Sequence, residues 1–363
     1  MYIMALFYKQ LLLKSFQLGV TGFIATTVPL ITLSSTLANT PISFETKAQD
    51  QGRKIPFYRI PARFYNGSQF SEGLAPVRIG NKYGFINKRG RLVIQANFEE
   101  VLDFSEGLAA VKLDSKWGYI NREGRFKILP QLEQPDFFSD GLVSVKVGDK
   151  YGFINRQGKV VIQPQFDEVN SGFEGGLAAV KLDDKYGYIN KQGQFAIKAQ
   201  FEGAFLFKNG LAAVKSGGKW GFINKSGKFV IQPQFDEANF FRDELTPVKM
   251  GEKYGFINKQ GKFVIAAKFD GASEFRDDLA KIKVGDKYGY INREGKIIIE
   301  PTFEDATAFS EGLAQVKVGA KWGYINKGGQ LVIEPQFDEV RRFSEGVANV
   351  CVSGKCGFIR NPL

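Results

Sequence analysis

Apolar and polar residues alternate in this chain over runs of four to six, with almost none of the three-and-four spacing of a helix face. The runs recur in the same order along its length. In one copy, Leu108-Ala109-Ala110-Val111-Lys112-Leu113 is a β-prone run, and Asp114-Ser115 can form a two-residue turn. Lys116-Trp117-Gly118-Tyr119-Ile120 then returns as the second strand of a hairpin. Asn121-Arg122-Glu123-Gly124 makes the next turn, with glycine where a positive φ is wanted. A third strand follows, clearest as Lys159-Val160-Val161-Ile162 and Lys228-Phe229-Val230-Ile231. Pro164, Pro233, Pro301 and Pro335 are expected to close it, because proline cannot donate to a ladder. The segment to the next copy carries one large apolar residue, such as Phe166 or Phe303.

Nine copies begin at Phe70, Phe104, Phe138, Phe173, Phe207, Phe241, Phe275, Phe309 and Phe343. Each step is 34 residues except one of 35, where Ser171 or Gly172 is extra. A period of that size marks a solenoid, propeller or array. The chain is therefore read as all-β, a tandem array of three-stranded β-meander repeats over residues 54–363. The last copy stops after Gly357-Phe358-Ile359 without a third strand. A segment that resembles the missing one, ending at Phe64, sits ahead of the first copy. Such permuted ends suit an open superhelix with half-repeats as caps, or a closed propeller-like toroid completed by the N-terminal strand. Propellers typically have about four to eight blades, so a curved open array is the expectation.

With Asp114-Ser115 as the turn, Leu113 faces Lys116, Lys112 faces Trp117, Val111 faces Gly118 and Ala109 faces Ile120. Alternation then puts Ala109, Val111 and Ile120 on one face, read as the core, and Lys112, Trp117 and Tyr119 on the other. Gly118 leaves room for a neighbouring backbone or ring. A lysine precedes the first aromatic position in all nine copies, although the ninth carries Cys356 there. Lys116, Trp117 and Tyr119, Lys219, Trp220 and Phe222, and Lys321, Trp322 and Tyr324 are thus candidates for a repeated aromatic and basic face. These rings either pack between repeats beneath lysine stems or bind glycans or extended peptides. Tryptophan appears at every third copy, at Trp117, Trp220 and Trp322. In the last copy Cys351 and Cys356 replace a lysine and a tryptophan and face each other across the hairpin, close enough for a disulfide.

Composition narrows the function. The chain has no histidine, the commonest general base and metal ligand. Its carboxylates recur at equivalent positions, as in Phe166-Asp167-Glu168 and Phe337-Asp338-Glu339, whereas acid–base chemistry needs one or two set apart. No enzyme, cofactor or metal site is expected. The formal charge of +11 is spread along the array, with no block that would mark a nucleic-acid tail. Lys9 and Lys14 precede an uncharged apolar run from Phe16 to Leu33, and Thr36-Leu37-Ala38 fits a cleavage site. Residues 1–38 are read as a signal peptide cut after Ala38 and 39–53 as a flexible lead-in. The expected protein is a periplasmic or extracellular monomer, held at a membrane only if the signal segment stays uncleaved.

The Lys-[Trp/Tyr]-Gly-[Phe/Tyr]-Ile-Asn core followed two residues later by Gly recurs eight times, and in it the chain resembles the WG, or KWG, repeat family. The resemblance covers residues 70 to 359. The ninth copy departs, reading KCGFIR, and copies six and seven carry RDELT and RDDLA in place of SEGLA, with Glu244 and Asp278 replacing a glycine. The resemblance implies an exported, bacterial binding or interaction module. A scaffold for a protein partner at the cell envelope is the first reading, and an envelope-polysaccharide module using the aromatic and lysine face is the second. Hydrolysis of a cell-wall polymer is a distant third.

Overall fold

The computed structural model describes residues 58–363, which form strands and turns with no helix among them. The signal segment, the lead-in and residues 54–57 lie outside the described residues. The expected hairpin register is observed: Leu113 pairs with Lys116, Lys112 with Trp117, Val111 with Gly118 and Ala109 with Ile120. Other copies repeat it, as at Lys215 with Trp220 and Lys317 with Trp322.

The third strand differs from its reading. It runs through the proline, from Val160 to Phe166 and from Phe229 to Phe235, and ends on the apolar residue assigned to the linker. Its register slips beside the central glycine, so that Tyr119 pairs with Ile128 but Trp117 pairs with Leu132. A Cβ on Gly118 would lie 2.6 Å from the Ile128 carbonyl oxygen and 2.8 Å from the Pro130 nitrogen. The glycine therefore admits the third strand's backbone. The proline is tolerated because it sits in a bulge of an edge strand, where no ladder donor is needed.

Each meander is a blade, and nine blades stand face to face in a ring. On the second face the packing alternative holds for the second aromatic of each hairpin, which lies between blades. Phe222 and Ala213 of the fifth blade pack with Phe241, Val248 and Ile257 of the sixth in one core cluster, and the pattern repeats between successive blades. A sheet flanked on both sides has no solvent face. Tyr119, Phe222 and Tyr324 consequently leave the candidate binding face: their exposures are 1%, 0% and 0%. Each instead meets the anchoring phenylalanine of the next blade, as in Tyr119 with Phe138 and Phe222 with Phe241, at centroid distances of 4.9 Å.

The ring closes, which overturns the open array. Strand Tyr58–Phe64 pairs antiparallel with strand Lys355–Arg360, so the N-terminal segment becomes the ninth blade's missing third strand. The ninth blade then docks on the first as its predecessors dock on one another. Ser344 Oγ donates to the Phe70 carbonyl at 2.8 Å, as Ser71 Oγ donates to the Phe104 carbonyl at 2.7 Å. Glu345 accepts from the Gly73 amide at 3.1 Å and from Lys88 at 2.8 Å, as Glu106 does from Gly141 and Arg156. Closure follows from blade geometry repeated until the first and last faces meet, and the typical blade count is no barrier to it. Cys351 and Cys356 form the disulfide, across the hairpin whose second strand receives the N-terminal one.

Candidate ligand-binding cavity

The repeated lysines are engaged in the fold. Lys116 reaches Glu133 at 3.7 Å, Lys219 reaches Asp236 at 2.5 Å, and Lys321 pairs with Asp338, each acid following its blade's third strand. These bonds hold the carboxyls of Asp236 and Asp338 below the usual range, with backbone donors at Gly251 and Ser353 adding to the effect. The cation lying over the aromatic ring is the other lysine, on the first strand: Lys112 over Trp117 at 5.8 Å and Lys249 over Tyr254 at 5.7 Å.

The three tryptophans have different covers. Trp117 is buried in a cluster that includes Leu102, two residues before its anchor Phe104. Trp220 stacks on Phe205, at the same position in its own copy, with centroids 4.9 Å apart. In the eighth copy that position is Thr307, too small to cover an indole. There Trp322, half-buried like Trp220 and packed against the core cluster between the eighth and ninth blades, forms one wall of a cavity of about 530 Å³ that Thr307 also lines.

The rest of the cavity comes from four blades. Arg276 belongs to the seventh, Gln315 to the eighth, Arg341 and Arg342 to the ninth and Gln69 to the first; the carboxylate in the lining is that of Glu274. Gln315 is 5% exposed and stands where most copies carry alanine or proline. Arg276 directly follows an anchor, at the position where Ser71, Ser105, Ser139, Ser310 and Ser344 bond to the next blade. In the fifth copy that position is Lys208, paired with Glu174 at 2.6 Å. Among the described residues the arginines in salt bridges are Arg156 and Arg293, so Arg276, Arg341 and Arg342 have none. Arg342 Nε donates to Gln69 Oε1 at 2.7 Å.

Burial holds the Arg276 guanidinium below its usual pKa, and repulsion from Arg242 and Arg342 adds to it. Across the same rim, burial pushes the Asp103 carboxyl up, although Ser68 and the two ninth-blade arginines oppose it. Lys281, half-buried where three copies carry alanine, donates to the Ala306 carbonyl at 2.9 Å, and burial lowers its pKa. In the sequence Arg242 and Arg276 stand in the two departing copies, near the residues that replace the glycine. Asp278 takes the left-handed conformation that glycine would, with φ of 72°. Arg341 and Arg342 carried no signal until closure brought them beside the first blade.

The family described as WG containing repeat matches nine consecutive segments, from 58–83 through 322–356. No curated protein matches the sequence. Among solved structures, that of the eukaryotic initiation factor is 12% identical over 86% of this chain and 93% of its own, with a TM-score of 0.57. The C-terminal WD40 domain of Sif2 is 9% identical over 86% of this chain and 99% of its own, with a TM-score of 0.43. Kluyveromyces lactis Hsv2p is 9% identical over 62% and 91%, with a TM-score of 0.39. The first of these likenesses shows a shared fold.

Proposed function

This chain belongs to the WG-containing repeat family, and we propose on that premise that it is a non-catalytic binding and scaffold protein whose recognition site is the cavity beside Trp322. One observation carries the reading. Five blades make the same serine bond to the next blade, and the cavity is where Arg276 takes that serine's place, Arg341 and Arg342 come in from the ninth blade, and Thr307 replaces the phenylalanine that covers Trp220. The absence of histidine from the chain and the recurrence of its carboxylates in turn and ion-pair roles support binding over catalysis. The signal segment read from residues 1–38 and the disulfide support a place outside the cytoplasm, in an oxidising compartment at the cell envelope.

A protein partner is the first reading and an envelope polysaccharide the second, now moved from the repeated lysine face into the cavity. The indole in the cavity wall favours the second. The test is affinity capture from native envelopes with the chain from Asn39 onward, comparing wild type with Trp322→Ala and Arg276→Ser. A specific component, protein or polysaccharide, retained by wild type and lost by both variants is expected. Identical retention by all three would remove the cavity as the site.

A further inference from the structure

We propose that the cavity between the seventh, eighth, ninth and first blades takes an acidic saccharide, its anionic group held by Arg276, Arg341 and Arg342 and a sugar ring laid against Trp322. The inference rests on the binding-module reading and gives it a ligand class. Charge is the first argument. Three arginines border the cavity without a salt bridge, against one lining carboxylate, Glu274. Asp103 and Glu274 answer the three guanidinium groups only at a distance, outside salt-bridge range, so a bound anion would relieve the repulsion that remains between Arg276 and Arg342. Their planar donor forks match a carboxylate or sulfate two bonds at a time.

Shape is the second argument. A volume of about 530 Å³ suits a mono- or disaccharide unit better than a bare ion. Trp322, packed against the core on one side, gives the cavity an aromatic wall, with Thr307 standing where Phe205 covers Trp220. Gln315 and Ser310 add neutral hydrogen-bonding groups to the wall, of the kind that orient hydroxyls. Position is the third. Arginine displaces the template serine at 276, so the residue has been released from the interblade bond that its equivalents make.

Binding would be measured by calorimetry with oligogalacturonide (carboxylated), a heparin-derived oligosaccharide (sulfated), neutral malto-oligosaccharide of matched length, and inorganic phosphate. One or both acidic oligosaccharides should bind wild type, more weakly as salt is raised, and quench tryptophan fluorescence. The double variant Arg276→Ser/Arg341→Ser should weaken that binding about tenfold or more. Trp322→Ala should abolish the quench and weaken binding, with Arg276→Lys intermediate. Serine occupies position 276's equivalent in five other copies, so the variant should keep the wild-type unfolding midpoint. The proposal is overturned if no acidic oligosaccharide binds, if the neutral one binds as well, if phosphate alone matches the oligosaccharides, or if the folded variants bind as wild type does. Envelope capture that still depends on Trp322 while every acidic saccharide fails would sink this ligand class and leave the binding module standing.

Discussion

Phe70 and Phe358 meet edge to face with ring centroids 5.1 Å apart, although they lie near opposite ends of the array. Phe222 and Phe241, neighbours in the middle of it, make the same couple at 4.9 Å. The seam between the ninth and first blades is thus an interface like the others, where Ile60, Phe64 and Phe358 share a core cluster with Val77 and Ile86. A chain whose ends are bonded in this way should behave as one cooperative ring.

Truncating either partner of the seam pair tests that equivalence. Phe358→Ala should destabilise the protein by about 3–5 kcal/mol, as large aromatic deletions in a core do. Phe222→Ala should cost a similar amount. Denaturant titrations of both variants would decide the matter; a negligible cost at Phe358 alone would mean that the ring stands open in solution.

The Cys351–Cys356 bridge closes a short loop, so its removal should be felt but survived. The loop-entropy relation gives about 2 kcal/mol for so small a ring. Cys351→Ser/Cys356→Ser should lower the denaturation midpoint accordingly, and adding reductant to wild type should reproduce the shift. Non-reducing mass spectrometry of the protein from an oxidising compartment should find no free thiol.

Gly118→Ala should cost about 1–3 kcal/mol, because its methyl group would press on the backbone of the third strand rather than on a side chain that can move. The loss should appear as a lower midpoint and as faster hydrogen exchange in Phe126–Leu132, the strand displaced.

Stability should fall at both ends of the pH scale for different reasons. Lysine partners hold the carboxyls of Asp167, Asp236, Asp270 and Asp338 below their usual range. That stabilisation is complete above the ordinary aspartate pKa of about 4 and is lost as pH drops through the lower folded values. Burial pushes the phenols of Tyr119, Tyr188, Tyr290 and Tyr324 far up, and that of Tyr254 up to about 12. Their contribution is intact below about pH 10 and lost as pH rises beyond it. Phenolate absorbance should therefore show the four buried tyrosines ionising together with unfolding, and a smooth titration of all tyrosines near pH 10 would contradict their burial.

Trp220→Ala should lower the denaturation midpoint further than Trp322→Ala, since the first loses a stacked partner in Phe205 and the second opens onto a cavity. Equal losses would place Trp322 in the packing rather than at the site.

Much of the fold was legible in the chain because hairpin register depends on turn residues and two-residue alternation, both local. Lys112 opposite Trp117, and Cys351 opposite Cys356, followed from counting back from a turn. The course of the third strand was not, since Pro130 reads as a stop until Gly118 is seen to receive the strand carrying it. The candidate face failed for a related reason: alternation tells which side chains share a face, and Tyr119 does lie opposite the Ala109 face, but it cannot say whether that face meets water. Of the nine residues proposed for it, Trp322 alone lines the cavity.

Local chemistry by itself determined nine all-β meanders, their hairpin pairing, the matching half-repeats at the two ends and the cysteine pair. These depend on turns and alternation within some tens of residues. Tertiary structure decided that the ends join, that both faces of every blade are buried and that Arg276, Arg341 and Arg342 converge near Gln69. Those outcomes depend on the angle between successive blades, a small quantity summed over nine interfaces, which no single repeat contains.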